Sequence, residues 1–292
     1  MNKPKDEPGL QTILSHCGRN LEASGGYVNV PPYEGSTILH DDMEDLFGRV
    51  DNHLYGDGTA QTYGTDGGPT HEAFYDAMNK LEGGAGTWAF STGLAGCTIP
   101  MMAFLKTGDH MLVTDSVYGP TRQFCEVLLK NFGVEAEFYE STIGAGIEKL
   151  IRPNTRLIYM ESPGTHTFEM QDVPAIAAVA RKYNIVTMID NTYATPLNFQ
   201  PLKHGVDVVV HSATKYICGH SDVLMSTVTC NEKNWKQVRD VCKMTGQYAS
   251  AQSVYLGLRG LRTLKVRLDA VGVHTRKVVD WLLKREEVKK VI

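Results

Sequence analysis

Residues 156–163, RLIYMESP, and residues 172–190, DVPAIAAVARKYNIVTMID, read as strand, loop, helix and strand. Leu157 to Met160 is an apolar strand. Asp172 is a good N-cap, and Pro174 sits in the first helical turn, where its missing N–H is not needed. Ile176, Val179, Ala180 and Tyr183 then recur at helical spacing as one apolar stripe. Asn184 suits a helix stop, and Ile185 to Ile189 is the next strand. Strands apolar on both faces and separated by a helix require a parallel sheet covered on both sides, so this stretch sets the fold class as α/β.

The same alternation extends in both directions. Thr87 to Phe90, His110 to Thr114, Val134 to Tyr139 and Val206 to Val210 read as further strands. Thr70 to Leu81, with Phe74, Ala77, Met78 and Leu81 on one face, and Thr121 to Asn131 read as helices. Residues 1–62 are rich in Gly, Pro, Asn and Asp and predict an extended arm with one short helix near Asp41 to Leu46, packed on a neighbouring surface such as a partner subunit. Residues 63–257 form the main domain. Residues 258–292 are a linker helix leading into what looks like the first strand of a second, incomplete domain. Leu258 to Leu283 carries an apolar stripe that needs cover, since each exposed leucine forfeits about 1.5–3 kcal/mol of burial.

Composition removes several function classes. The 292 residues carry a net charge of −4, too near neutral for a nucleic-acid or anionic-membrane footprint. Apolar runs such as Val173 to Ala180 fall short of the ~20 residues a membrane helix needs. The first residues, MNKPKDEPG, lack the apolar core of a secretory signal. Six scattered cysteines, with no C-x-x-C pair, fit buried free thiols in a reducing cytoplasm. His204, His211 and His220 lack metal-ligand spacing, so no metal is expected.

Ligands of open parallel sheets sit outside the carboxyl ends of the strands. Ser91, Thr92 and Gly93, then Asp115, Ser116 and Tyr118, then Glu161, Asp190, His211, Ser212, Thr214 and Lys215 all follow strands. Lys215 begins close to an apolar strand, and a sheltered lysine is a nucleophile or Schiff-base former; snorkelling to the surface is the plainer alternative. A carboxylate directly after a buried strand, Asp190, matches the protonated ring nitrogen of pyridoxal phosphate, although a cap or salt bridge also places an acid there. Ser91-Thr92-Gly93 opens a helix able to hold phosphate, or simply caps it. Tyr118 can stack on a flat ring or pack in the core. Two rivals are a serine acyl enzyme and a protein that keeps the fold for binding alone. The first rests on Ser212-x-x-Lys215 and Lys106-Thr107-Gly108, but S-D-N is absent and the order of the motifs is inverted.

The string SATKYICGHSD, residues 212–222, resembles the lysine signature of the Cys/Met-metabolism family of pyridoxal-phosphate enzymes. The resemblance runs from about Tyr63 to Leu268 and includes LEGGA (81–85), GDH (108–110), ESP (161–163), DNT (190–192) and LRGLRTL (258–264). It implies the aminotransferase-like fold type I, with pyridoxal 5′-phosphate as cofactor. It implies that Lys215 carries the cofactor and acts as base, Asp190 pairs with the pyridine nitrogen, and Tyr118 stacks on the ring. Gly93 and Leu94 N–H groups, with the Ser212 and Thr214 hydroxyls, would hold the phosphate. Tyr63 would reach the phosphate of a neighbouring subunit, implying a homodimer or homotetramer. Thr165 stands where members acting at Cγ usually have Asn, so cleavage of cystathionine at the β carbon–sulfur bond is expected, with γ-elimination or γ-replacement as alternatives. Thr65 stands where the family usually has a phosphate-binding Arg, one charge-assisted contact fewer.

Overall fold

The structure is a computed structural model that describes residues 8–22, 24–56 and 58–291. Its centre is a seven-stranded sheet: β1 Gly86–Phe90, β2 His110–Thr114, β3 Glu135–Tyr139, β4 Thr155–Glu161, β5 Val186–Asp190, β6 Val208–His211 and β7 Ser226–Cys230. Their spatial order is β1-β7-β6-β5-β4-β2-β3. All contacts from β6 across to β3 are parallel, and β7 runs antiparallel to both β6 and β1. Six strands match the sequence reading. β7 is an addition: its Ser-Thr-Val-Thr-Cys run is fully buried, yet three of five residues carry hydroxyls and mask the apolar signal. Those hydroxyls are used locally. Thr229 meets Thr87 across the strands at 2.8 Å, and Ser226 donates to Thr92 O at 2.7 Å.

Pleating sends alternate residues of β4 into opposite cores. Leu157 and Tyr159 join Met111, Val113, Met188 and Val210 on one face. Ile158 and Met160 join Leu112, Ile189 and Val209 on the other, beneath the helix Val173–Lys182. That helix starts as its sequence dictates, with Asp172 accepting from Ala175 N–H at 3.1 Å. It ends at Asn184, whose φ of 53° is the left-handed conformation that asparagine tolerates. Ile176, Val179 and Ala180 are buried, but Tyr183 is not. It sits at the C-cap, and its hydroxyl leaves the core to donate to Glu148 at 2.6 Å. The helix Pro69–Glu82 buries Phe74, Ala77, Met78 and Leu81 completely against Leu258 and Leu261.

The ends depart further from expectation. The arm holds two helices, Leu10–His16 and Met43–Tyr55, where one short helix was expected. The first docks on its own chain, because the Arg262 guanidinium donates to the carbonyls of Leu14 and Cys17 at 2.7 Å each. The second opens on Asp42, which accepts from Asp45 N–H, and has no buried residue. Beyond the helix Leu264–Leu282, residues 288–291 form no strand, because no strand lies beside them to pair with. The stripe divides: Leu258, Leu261 and Leu264 are buried and Leu268 packs against them, whereas Val278 and Leu283 face solvent. The six cysteines are free and buried. Among the described residues no helix is long and apolar enough to cross a membrane, and no His, Cys, Asp and Glu cluster could hold a metal.

Candidate active site

Reversal of one strand builds the site. The chain leaves β6 at its carboxyl end, loops through residues 212–225 and returns as β7. That whole loop therefore lies at the carboxyl edge of the sheet. β1 ends beside the start of β7, with Phe90 opposite Ser226. The turn after β1 thus meets the turn after β6. The ideal Cβ position on Gly93 lies 2.6 Å from Ser212 Oγ, so only glycine allows this approach. Ser212 Oγ has no hydrogen-bond partner among the described residues. Thr214 differs: its hydroxyl donates to Met225 O and accepts from Met225 N–H at 3.2 and 2.9 Å, bracing the loop. Leu94 is exposed in the same turn.

Asp190 ends β5 and is 7% exposed. Its Oδ1 accepts from Thr192 N–H at 2.9 Å, and Cys97 Sγ lies 3.5 Å from Oδ2. Thr192 Oγ1 in turn accepts from Ser212 N–H at 2.7 Å, which locks Asp190 and Ser212 into one unit. Opposite Asp190 in register stands Glu161, the last residue of β4, 4% exposed. Tyr118 N–H donates to Glu161 Oε2 at 2.8 Å, and the Thr165 hydroxyl contacts Oε1. Burial, and then the Asp190 charge beside it, push the Glu161 carboxyl up to about 8. Burial and the same aspartate drive the Cys97 thiol well above its ordinary range. At the end of β6, His211 Nε2 meets Glu82 Oε1 in the interior, tying the helix Pro69–Glu82 to the site's floor.

The remaining candidates lie on loops. Tyr118 is 44% exposed, with its backbone N–H held by Glu161. Beside it Asp115, Ser116, Thr165, His166 and Glu169 border a cleft of about 380 Å³. Lys215 follows Ser212 in a tight turn and is exposed. The sheltered start expected from the apolar strand is not found: Lys215 itself is exposed, although Ala213, Ile217 and Cys218 in the same turn are buried. Tyr63 is 51% exposed and bridges Thr37 in its own arm; no hydrogen bond links it to the strand-end residues. Asp66, next to Thr65, braces this turn by accepting from Thr62 and Tyr63 N–H at 2.7 and 3.1 Å.

Sequence reasoning placed Glu161 at a strand end but gave neither it nor Thr192 a role in the site, and it left out Cys97. Glu161 and Thr192 sit in the ESP and DNT strings, so their strand-end positions were a signal. The Cys97 contact with Asp190 spans 93 residues and had none.

The arrangement fits pyridoxal phosphate. Two buried carboxylates stand in register, and neither forms an ion pair with a cation among the described residues. A carboxylate in that position calls for a cationic partner, which a protonated ring nitrogen supplies. A side-chain-free glycine against an unengaged hydroxyl leaves room and donors for an anionic group.

The profile of the family described as Cys/Met metabolism PLP-dependent enzyme matches residues 11–292. The cystathionine β-lyase of Haemophilus influenzae (strain ATCC 51907 / DSM 11121 / KW20 / Rd) is 38% identical over 97% of this chain and 71% of that protein. The cystathionine β-lyase of Escherichia coli (strain K12) gives the same three values. The structure of cystathionine γ-lyase from Lactobacillus plantarum, complexed with L-serine, superposes with a TM-score of 0.88 at 30% identity, covering 97% of this chain and 71% of that one.

Proposed function

The chain belongs to the Cys/Met-metabolism family of pyridoxal-phosphate-dependent enzymes, and we propose that it is a carbon–sulfur β-lyase converting cystathionine and water to homocysteine, pyruvate and ammonia. The observation that carries this reading is Asp190: a buried carboxylate without a cation, hydrogen-bonded through Thr192 to the turn that bears Ser212 and Lys215.

Bound pyridoxal phosphate supplies the electron sink that lets the substrate Cα proton leave and the Cβ–S bond break. Asp190 holds the proton on the ring nitrogen, and the Tyr118 ring lies against the ring face. The Ser212 hydroxyl and the backbone N–H groups of Gly93 and Leu94 bind the phosphate, with Thr214 holding their loop in place. Lys215 carries the cofactor, and its Nζ takes the Cα proton as general base. Its exposure at the mouth of the site gives the incoming amino acid access. Tyr63, projecting from the arm, reaches the phosphate of a second subunit, so the working form is a homodimer or a homotetramer made of dimers. The free thiols suit a reducing cytoplasm.

Thr165 supports β over γ cleavage, since its hydroxyl is occupied by Glu161 where γ-acting members usually present an Asn side chain. The backbone alone does not discriminate, as the γ-lyase superposition demonstrates. Incubation with cystathionine tests the reading. Pyruvate and homocysteine are expected; 2-oxobutyrate and cysteine would move the chain to the γ-lyases, and no turnover would favour a protein that only binds.

A further inference from the structure

The mechanism above uses Asp190 and leaves Glu161 idle, although the two residues are register partners at the ends of adjacent strands. Both are buried, and neither pairs with a cation among the described residues. Asp190 comes from β5, Cys97 from the helix Gly93–Thr98 and Tyr159 from β4 itself. Tyr118 N–H and the Thr165 hydroxyl close the remaining side. Two negative charges at this spacing in a dry site repel strongly, and one such group keeps its proton.

We propose that Glu161 is a positioning residue that acts as a neutral acid: it holds the pair's shared proton, leaves Asp190 as the single carboxylate for the ring nitrogen, and anchors Tyr118 through its backbone N–H. In the structure the Thr165 hydroxyl donates to Oε1 and Tyr118 N–H donates to Oε2; protonation of Oε1 turns that hydroxyl about, so that Oε1–H donates to Thr165 Oγ1 while Oε2 goes on accepting from Tyr118. The same contact therefore orders the residue over the ring face and sets the charge beneath the ring nitrogen. The rise of the Glu161 carboxyl to about 8 agrees with this assignment. The proposal rests on the cofactor-site reading, and its test separates the two.

The apo-protein is unfolded in urea at a series of pH values from 4.5 to 9. A carboxyl whose folded pKa lies above its unfolded one binds more protons in the native state across that window. The Glu161 contribution is therefore lost progressively as pH rises from about 4.5 to about 8 and is level above it. Glu161→Gln, a permanent mimic of the neutral acid, should remove that part of the slope, and Glu161→Asp should retain one. Second, 4′-deoxypyridoxine phosphate, which lacks the aldehyde, is titrated into apo-protein at pH 7 by intrinsic fluorescence. Glu161→Gln should bind within about threefold of wild type, whereas Asp190→Asn should lose about tenfold or more. Equal pH slopes in wild type and Glu161→Gln would overturn the proposal, as would a Glu161→Gln loss as large as that of Asp190→Asn. Failure of the wild-type protein to bind the probe would instead strike at the cofactor-site reading itself.

Discussion

The half of the site carried by strands differs in kind from the half carried by loops. Glu161, Asp190 and His211 are the last residues of β4, β5 and β6, all buried, and each has a hydrogen-bond partner. Tyr63, Tyr118 and Lys215 are on turns and expose much of their surface. The parallel register fixes the first group in space. The second group is open to a ligand or a second subunit, although the backbones of Tyr118 and Tyr63 are held by Glu161 and Asp66. Rigid elements thus set the electrostatics while loops deliver the moving chemistry, a division that follows from burial on one side and accessibility on the other.

Removal of the reacting amine is the severest way to break that division. Lys215→Ala should lower cystathionine turnover by at least ~10³-fold, within the range of general acid–base catalysis. It should also abolish the visible absorbance of protein-linked cofactor. Because Lys215 is exposed and its side chain makes no hydrogen bond or ion pair among the described residues, its loss should leave the urea midpoint unchanged. A matching loss of stability would place the lysine in the scaffold. Asp190→Asn probes the strand-borne half. It keeps the shape and deletes the charge under the ring nitrogen, so turnover should fall by ~100-fold or more, the scale of one preorganised electrostatic contact. Turnover equal to wild type would remove Asp190 from the mechanism.

Legibility in the sequence followed the same line. β4, the helix after it and β5 were readable because their apolar periods, Asp172 and Asn184 all agree, and local signals that agree specify structure well. β7 was not, because its hydroxyl residues Ser226, Thr227 and Thr229 mask the apolar signal, and no sequence pattern reveals that Thr229 meets Thr87 and Ser226 meets Thr92. Asp190 and Ser212 were legible as strand-end residues. The Cys97 contact and the register pairing of Glu161 with Asp190 depend on strand order, which a single sequence does not encode locally. The exposure of Lys215 was misread for a related reason: proximity to an apolar strand in sequence says little about one side chain in the turn that follows it.

The finest test compares two hydroxyls that the resemblance treats alike. Ser212 Oγ lies against Gly93 without a hydrogen-bond partner among the described residues, whereas Thr214 Oγ1 already makes two hydrogen bonds with Met225. A hydrogen bond to a charged group contributes about 1.5–3 kcal/mol, and a neutral one about 0.5–1.5 kcal/mol. Ser212→Ala should therefore weaken pyridoxal phosphate binding by about tenfold while barely moving the melting temperature of the apo-protein. Thr214→Ala should do the reverse: a lower apo-protein melting temperature, as residues 214–225 lose their brace, with cofactor affinity within about threefold. Thr214→Ser, which keeps the hydroxyl, should restore most of the stability. Equilibrium dialysis of pyridoxal phosphate beside calorimetry of the apo-protein separates the cases. A large affinity loss in Thr214→Ala at unchanged melting temperature would mean that its hydroxyl leaves Met225 for the phosphate, and that this loop rearranges when the cofactor binds.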